Sequence, residues 1–96
     1  MKEIRKTETF IKWLNALKDK TGKAIIIDRI YRLQDDNPGD SRFLGDIFEM
    51  RIHYGPGYRV YYKDTGKEII ILLCGGDKST QQKDIIKAKK LAELEE

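Results

Sequence analysis

Two short alternating runs bring together side chains capable of acid–base and phosphate chemistry. From Ile47 to Tyr54, Glu49, Arg51 and His53 alternate with Phe48, Met50, Ile52 and Tyr54. From Tyr58 to Asp64, Arg59, Tyr61 and Lys63 alternate with Tyr58, Val60 and Tyr62. Successive strand residues point to opposite faces. If both apolar sets face the core, one open surface collects Glu49, Arg51, His53, Arg59, Tyr61 and Lys63. Such a set suits a phosphodiester. Arginines fork onto phosphate oxygens and stabilise the charge that builds in the transition state. Glutamate or histidine can take a proton, and tyrosine or lysine can donate one. Nothing in the set requires a metal, and RNA fits it because the 2′-hydroxyl is an internal nucleophile awaiting deprotonation. The plainer reading of this face is a row of solvated cross-strand ion pairs.

The elements that position these residues can be read from the period of the chain. Residues 2–6 suggest an opening strand. Phe10, Leu14 and Leu17, with Ile11 beside them, recur at helical spacing after Thr7 or Thr9 as N-cap. Thr21-Gly22 is expected to break this helix, with Lys18 and Lys20 in its last turn. A second helix carries Ala24, Ile27 and Tyr31 on one stripe and Ile26, Ile30 and Leu33 beside it, forming a hairpin with the first. Turn residues from Asp36 to Asp40 end the helical half. The two alternating strands follow, joined by Gly55-Pro56-Gly57, and Asp64-Thr65-Gly66-Lys67 turns into the apolar run Ile69 to Cys74. Unbroken apolarity predicts a central strand covered on both faces. Ser79 and Gln82 are spaced as a capping box for a last helix whose inner face is Gln81, Ile85, Ala88 and Ala92. The order is β-α-α-β-β-β-α, an α+β fold: a helical hairpin on a small, mainly antiparallel sheet, then a C-terminal helix, in one domain spanning residues 1–96.

Composition narrows the class. Ninety-six residues with 36% charged and 40% hydrophobic side chains suit one small globular core. The longest apolar run, six residues from Ile69, falls short of the roughly 18–20 needed for a membrane span. Met1 to Lys6 do not read as a signal peptide. One cysteine and one histidine exclude an internal disulfide framework and a structural zinc site, which points to a reducing cytoplasm. Net charge is only +3, and residues 37–78 balance six basic against six acidic side chains. Any polyanion site must therefore come from placement.

Other residues have plainer readings. Gly75 to Thr80 lacks the spacing of a P-loop, because Asp77 separates Gly76 from Lys78. Cys74 reads as a buried thiol. His53 reads equally as a surface residue or a catalytic one. Trp13 suits either the core or a partner-binding patch. Lys23, Arg29 and Arg32 read as a solvated helix face that RNA could also contact.

Taken together, Glu49-Met50-Arg51-Ile52 and Gly55-Pro56-Gly57-Tyr58-Arg59-Val60-Tyr61-Tyr62 resemble the RelE/ParE toxin superfamily. The tail Leu72-Leu73-Cys74-Gly75-Gly76-Asp77-Lys78-Ser79-Thr80-Gln81, running on to Asp84-Ile85, is similar to HigB-type, phage-derived Gp49-like addiction-module killer proteins. The likeness spans essentially the whole chain, including the Asn37-Pro38-Gly39-Asp40 turn. It implies the toxin of a type II toxin–antitoxin system, an mRNA interferase that cleaves messenger RNA on the ribosome without a cofactor. The implied partner is a small helix-turn-helix, HigA-like antitoxin. By position, the resemblance makes Glu49 the base or a partner orienting Arg51. Arg59 stabilises the scissile phosphate with Arg51 assisting, and Tyr61 donates a proton or stacks a base. Lys78 contacts phosphate or the leaving oxygen. Arg42, His53, Lys63 and Ser79 complete the expected RNA contacts. The chain departs from many superfamily nucleases in having no His or Tyr from Leu91 to Glu96; Tyr61, His53 or Lys78 must then substitute as acid. The gyrase-poisoning ParE branch and a catalytically degenerate binding module are the alternatives.

Overall fold

β-Branched and leucine side chains from Ile69 onward build the strand around which everything else is arranged. A computed structural model describes residues 1–95. In chain order its elements are β1 (Glu3–Lys6), α1 (Glu8–Ala16), α2 (Lys20–Gln34), β2 (Ser41–Phe43), β3 (Phe48–Arg51), β4 (Arg59–Asp64), β5 (Ile69–Gly76), a 3-10 turn (Lys78–Thr80) and α3 (Gln81–Leu94). The strands form one sheet in the order β1-β5-β4-β3-β2. β1 runs parallel to β5, with Glu3 opposite Ile69, and the other neighbours are antiparallel.

Both faces of the sheet are covered. On one, Phe10, Ile26, Ile30 and Leu33 of the helical hairpin pack on Met50, Val60, Tyr62, Ile70 and Leu72. On the other, Ala88 and Ala92 of α3 pack on Ile47, Tyr61, Ile71, Leu73 and Cys74. Two alanines on that inner face let the helix lie close to the strands. Burial pushes the Cys74 thiol up to about 12, which leaves it an inert core group.

The strand run of β5 is apolar on both sides as expected, but its alternation slips once. Tyr61 pairs with Cys74 and Tyr62 with Leu72, so Leu73 is an extra residue in the ladder. Leu73 and Cys74 consequently join the same cluster beneath α3. Gly75 then meets the Trp13 ring of α1, and Gly76 meets Asp84 of α3; a Cβ at either position would overlap those side chains.

Four local expectations are corrected. α1 ends at Ala16, and Thr21-Gly22 lies inside α2 rather than breaking α1. Asp19 caps α2 by accepting the Gly22 N–H at 2.9 Å, and glycine is needed there because a Cβ would press on Tyr58 and Asp19. Ala24, Ile27 and Tyr31 are exposed, and the Ile26, Ile30, Leu33 stripe alone faces the core. Residues 41–43 form β2, a strand the expected element order lacks, too short and mixed to show a period. Asp77, not Ser79 with Gln82, caps the entry to α3, reciprocated by Thr80. The turn signals after α2 act as expected: Asp36 adopts φ 64, its N–H bonds Leu33 O, and Asn37 N–H bonds Arg32 O, a Schellman stop. The α+β class stands, with one strand more than expected.

Candidate active site

The β3–β4 hairpin sets the geometry. Its turn closes through Gly57 N–H to Tyr54 O at 3.1 Å, and Gly55 and Gly57 take φ 58 and 79, a region that side chains resist. The resulting register places Arg51 opposite Arg59 and Glu49 opposite Tyr61, on the shared face that the alternation predicts. The Gly57 carbonyl accepts Arg59 Nη1 at 2.8 Å. A Cβ on Gly57 would lie against that nitrogen and Lys78 Cβ alike. Arg59 and Lys78 thus stand together at the end of the sheet where β5 leads into α3.

The face expected to be open is closed at its centre. Glu49 and Tyr61 are both fully buried beneath α3. Glu49 Oε2 accepts from Tyr61 Oη at 3.1 Å and Gln81 Nε2 at 2.8 Å, and Oε1 accepts from Arg42 Nη2 at 3.1 Å. Arg59 Nε lies 3.6 Å from Oε2, within ion-pairing range. A buried carboxylate requires such partners to offset its lost hydration. Burial and the charge of Glu49 push the Tyr61 phenol well above its ordinary value, so it stays a donor to Glu49. Glu49 therefore orients Arg59 and Arg42, and not Arg51 as expected. Lys63 leaves the group entirely: its Nζ donates to Ala92 O at 3.1 Å and Glu95 O at 2.6 Å, at the C-terminus of α3 where a cation is favoured.

Arg51 is held from another direction. Asp40, in the turn before β2, accepts Arg51 Nη2 on Oδ1 at 3.1 Å and contacts His53 Nε2 through Oδ2 at 2.5 Å. The His53 and Arg51 contacts hold the Asp40 carboxyl below its usual range. Asp40 O also accepts the Arg51 N–H at 2.9 Å. Arg29 of α2 clamps the same loop, with Nη1 on Arg51 O at 2.8 Å and Nη2 on Pro38 O at 3.1 Å. It is thus a bracket between layers, not part of a solvated face. Sequence reasoning missed Asp40 and Arg29 and gave Gln81 only a packing role. Asp40 read as turn chemistry, and only the register of β2 against β3 brings it to Arg51.

The cations are incompletely satisfied. Arg51 Nε and Arg59 Nε are each buried with no hydrogen-bond partner among the described residues. Lys78 is exposed, and among the described residues no carboxylate pairs with it. Ser79 lies next to it on the surface, its hydroxyl on Asp77 at 2.5 Å. The structure thus brings Arg51 and Arg59 together across one strand pair, with Lys78 beside Arg59 and His53 beside Arg51. Among the described residues no three His, Cys, Asp or Glu side chains converge as a metal site.

Residues 12–93 match the family model described as Phage derived protein Gp49-like (DUF891). The chain belongs to this Gp49-like family. An uncharacterized protein of Haemophilus influenzae is 54% identical to it over 92 residues, covering 95% of this chain and 93% of that one. In three dimensions the Gp49-like chain is similar to a mutant of the Escherichia coli toxin RelE in the free state. That match has a TM-score of 0.70 at 15% identity and covers 93% of this chain and 95% of the other. A chain of the intact E. coli RelBE toxin–antitoxin complex superposes with a TM-score of 0.62 at 15% identity, covering 80% of this chain and 96% of that one. At that identity the likeness to RelE is one of fold. No helix among the described residues is long and apolar enough to cross a membrane.

Proposed function

We propose that this Gp49-like chain is the toxin of a type II toxin–antitoxin pair, a ribosome-dependent endoribonuclease that cleaves messenger RNA by activating the RNA's own 2′-hydroxyl. The observation that carries this reading is the Arg51–Arg59 cross-strand pair, two guanidiniums directly opposite each other with Lys78 beside Arg59. Like charges directly opposite one another repel, and a phosphate anion between the two guanidiniums relieves that repulsion. Arg59 and Arg51 hold the scissile phosphate and stabilise the charge of the pentacoordinate transition state. Lys78 meets the leaving 5′-oxygen. Attack by the 2′-oxygen leaves a 2′,3′-cyclic phosphate and a free 5′-hydroxyl. Glu49 and Tyr61 act from beneath the site by fixing Arg59, and Arg42 and Ser79 flank it as RNA contacts. Lys63, engaged with α3, is set aside from the RNA-binding set.

The RelE fold supports the toxin reading, and a relative of that fold assembled with its antitoxin supports a protein partner, here a small helix-turn-helix protein acting in the cytoplasm. A net charge of only +3 suits a protein that meets messenger RNA on the ribosome rather than capturing free polyanions. The test is induction of the wild type and Arg59→Ala in growing cells, with primer extension on cellular transcripts. Wild type should arrest growth and leave discrete cuts ending in cyclic phosphate. A folded Arg59→Ala protein should cut roughly 10²-fold more slowly and still bind the antitoxin. Intact transcripts with trapped gyrase cleavage complexes would replace this reading with gyrase poisoning.

A further inference from the structure

The proposed site still needs a group to take the 2′-proton, and Glu49 is sealed beneath α3 with both oxygens engaged. The chain's one histidine, His53, has a side chain that is 75% accessible and an Nε2 that rests 2.5 Å from Asp40 Oδ2. An ionised carboxylate can only accept hydrogen bonds. Asp40 therefore requires a hydrogen on Nε2, and in the imidazole form this leaves the lone pair on Nδ1. The other Asp40 oxygen holds Arg51 Nη2 at 3.1 Å, on the residue directly opposite Arg59. One side chain thus couples the imidazole to the phosphate-holding pair. Isolated surface ion pairs contribute little to stability. This one is braced by two further bonds on the same loop, Arg51 N–H to Asp40 O and Arg29 to Pro38 O. The charged groups around the imidazole are Asp40 from the turn, Arg51 from β3, and Arg29 reaching in from α2.

Resting on the ribonuclease reading above, we infer that Asp40 is a positioning residue that orients His53 as the general base and Arg51 as the phosphate ligand. The 2′-O–H bond breaks and its proton passes to His53 Nδ1 as the 2′-oxygen bonds to phosphorus. The P–O5′ bond breaks, and the departing oxygen takes a proton from the Lys78 ammonium. The imidazolium and the neutral amine then exchange protons with water. Asp40 stabilises the imidazolium without itself becoming protonated, as an orienting carboxylate does in other histidine-based sites.

The test is cleavage of ribosome-bound messenger RNA by purified wild type, Asp40→Asn, His53→Ala, Arg59→Ala and, as a remote surface control, Asp46→Asn. His53→Ala should lose about 10²–10⁴-fold in rate, and added imidazole should restore part of it; Arg59→Ala should gain nothing from imidazole. Asp40→Asn should lose about tenfold or more in kcat with KM little changed. Nitrogen NMR of the His53 ring should show the Nε2–H tautomer in wild type and a mixture in Asp40→Asn. Asp46→Asn should match wild type. A His53→Ala protein that cuts at the wild-type rate overturns this inference and leaves the ribonuclease reading standing. Wild type that cuts no ribosome-bound RNA overturns both. Loss in Asp40→Asn confined to KM, or with an unchanged tautomer, would return Asp40 to a purely structural role.

Discussion

At the residue scale, the two carboxylates near Arg51 and Arg59 have divided the work of holding them. Glu49 sits inside the protein and fixes Arg59 from below, while Asp40 sits at the rim and fixes Arg51 from the side. Removing a fully buried carboxylate that engages a phenol, a carboxamide and two guanidiniums strands those groups. We expect Glu49→Ala to destabilise the fold by about 3 kcal/mol in urea unfolding. Glu49→Gln should keep much of that network and retain measurable cleavage. Abolished cleavage by a Glu49→Gln protein of unchanged stability would instead mark Glu49 as the base. The arginines themselves were legible in the sequence, because strand alternation alone puts residues 49, 51, 59 and 61 on one side. What alternation cannot state is whether a helix covers that side, and so Glu49 and Tyr61 read as exposed. Asp40 was illegible for a different reason: its partners depend on pairing across β2, whose three residues carry no period.

At the element scale, α1 is seated on β5 by a side chain and the absence of one. Trp13 packs with Phe10 and Tyr58 and lies over Gly75, where no Cβ intervenes. Gly75→Ala would drive a methyl group into the Trp13 ring, and overpacking of this kind costs about 1–3 kcal/mol. Thermal unfolding should register the loss, and Trp13 fluorescence should shift with it. A Gly75→Ala protein as stable as wild type, with unchanged fluorescence, would show that α1 can shift without cost. The apolar run made β5 legible as a central strand, whereas its extra residue was not. Nothing in Ile-Ile-Ile-Leu-Leu-Cys distinguishes a strand that keeps its parity from one that slips at Leu73. The same limit explains the misplaced start of α2. Thr21-Gly22 carries a helix-breaking composition, yet Gly22 is there to admit Tyr58, a residue far along the chain just before β4.

Over the whole molecule, several carboxylates tie separate elements together. Asp19 caps α2 and accepts the Tyr58 hydroxyl at 2.9 Å; Asp40 joins the turn to β3; Asp64 accepts the Gly66 N–H and meets Lys2 of the N-terminal segment. Each is held below the ordinary carboxyl value, Asp19 and Asp64 chiefly by backbone N–H groups and Asp40 chiefly by His53. Lys2 is raised to about 12 by Asp36 and Asp64. A depressed carboxyl pKa contributes stability that is full above the unfolded value near 4 and lost as pH falls through the folded value. The melting temperature should therefore hold on acidification to about pH 5 and decline below about pH 4. Asp40→Asn should lie below wild type at neutral pH, with the gap closing in acid. A gap that widened in acid would contradict these assignments.

The pairing of β1 with β5 joins Glu3 to Ile69, so the first of the five described strands must wait for the fifth. Contacts of such long range close late in folding. During synthesis, β3 and β4 emerge before β5 completes the sheet and before α3 brings Gln81 onto Glu49. On the proposed reading, a half-made chain therefore displays Arg51 and Arg59 without the scaffold that aims them. On that same reading, β5 and α3 must both be made before the chain can cut RNA, so the topology itself keeps the nascent protein inactive.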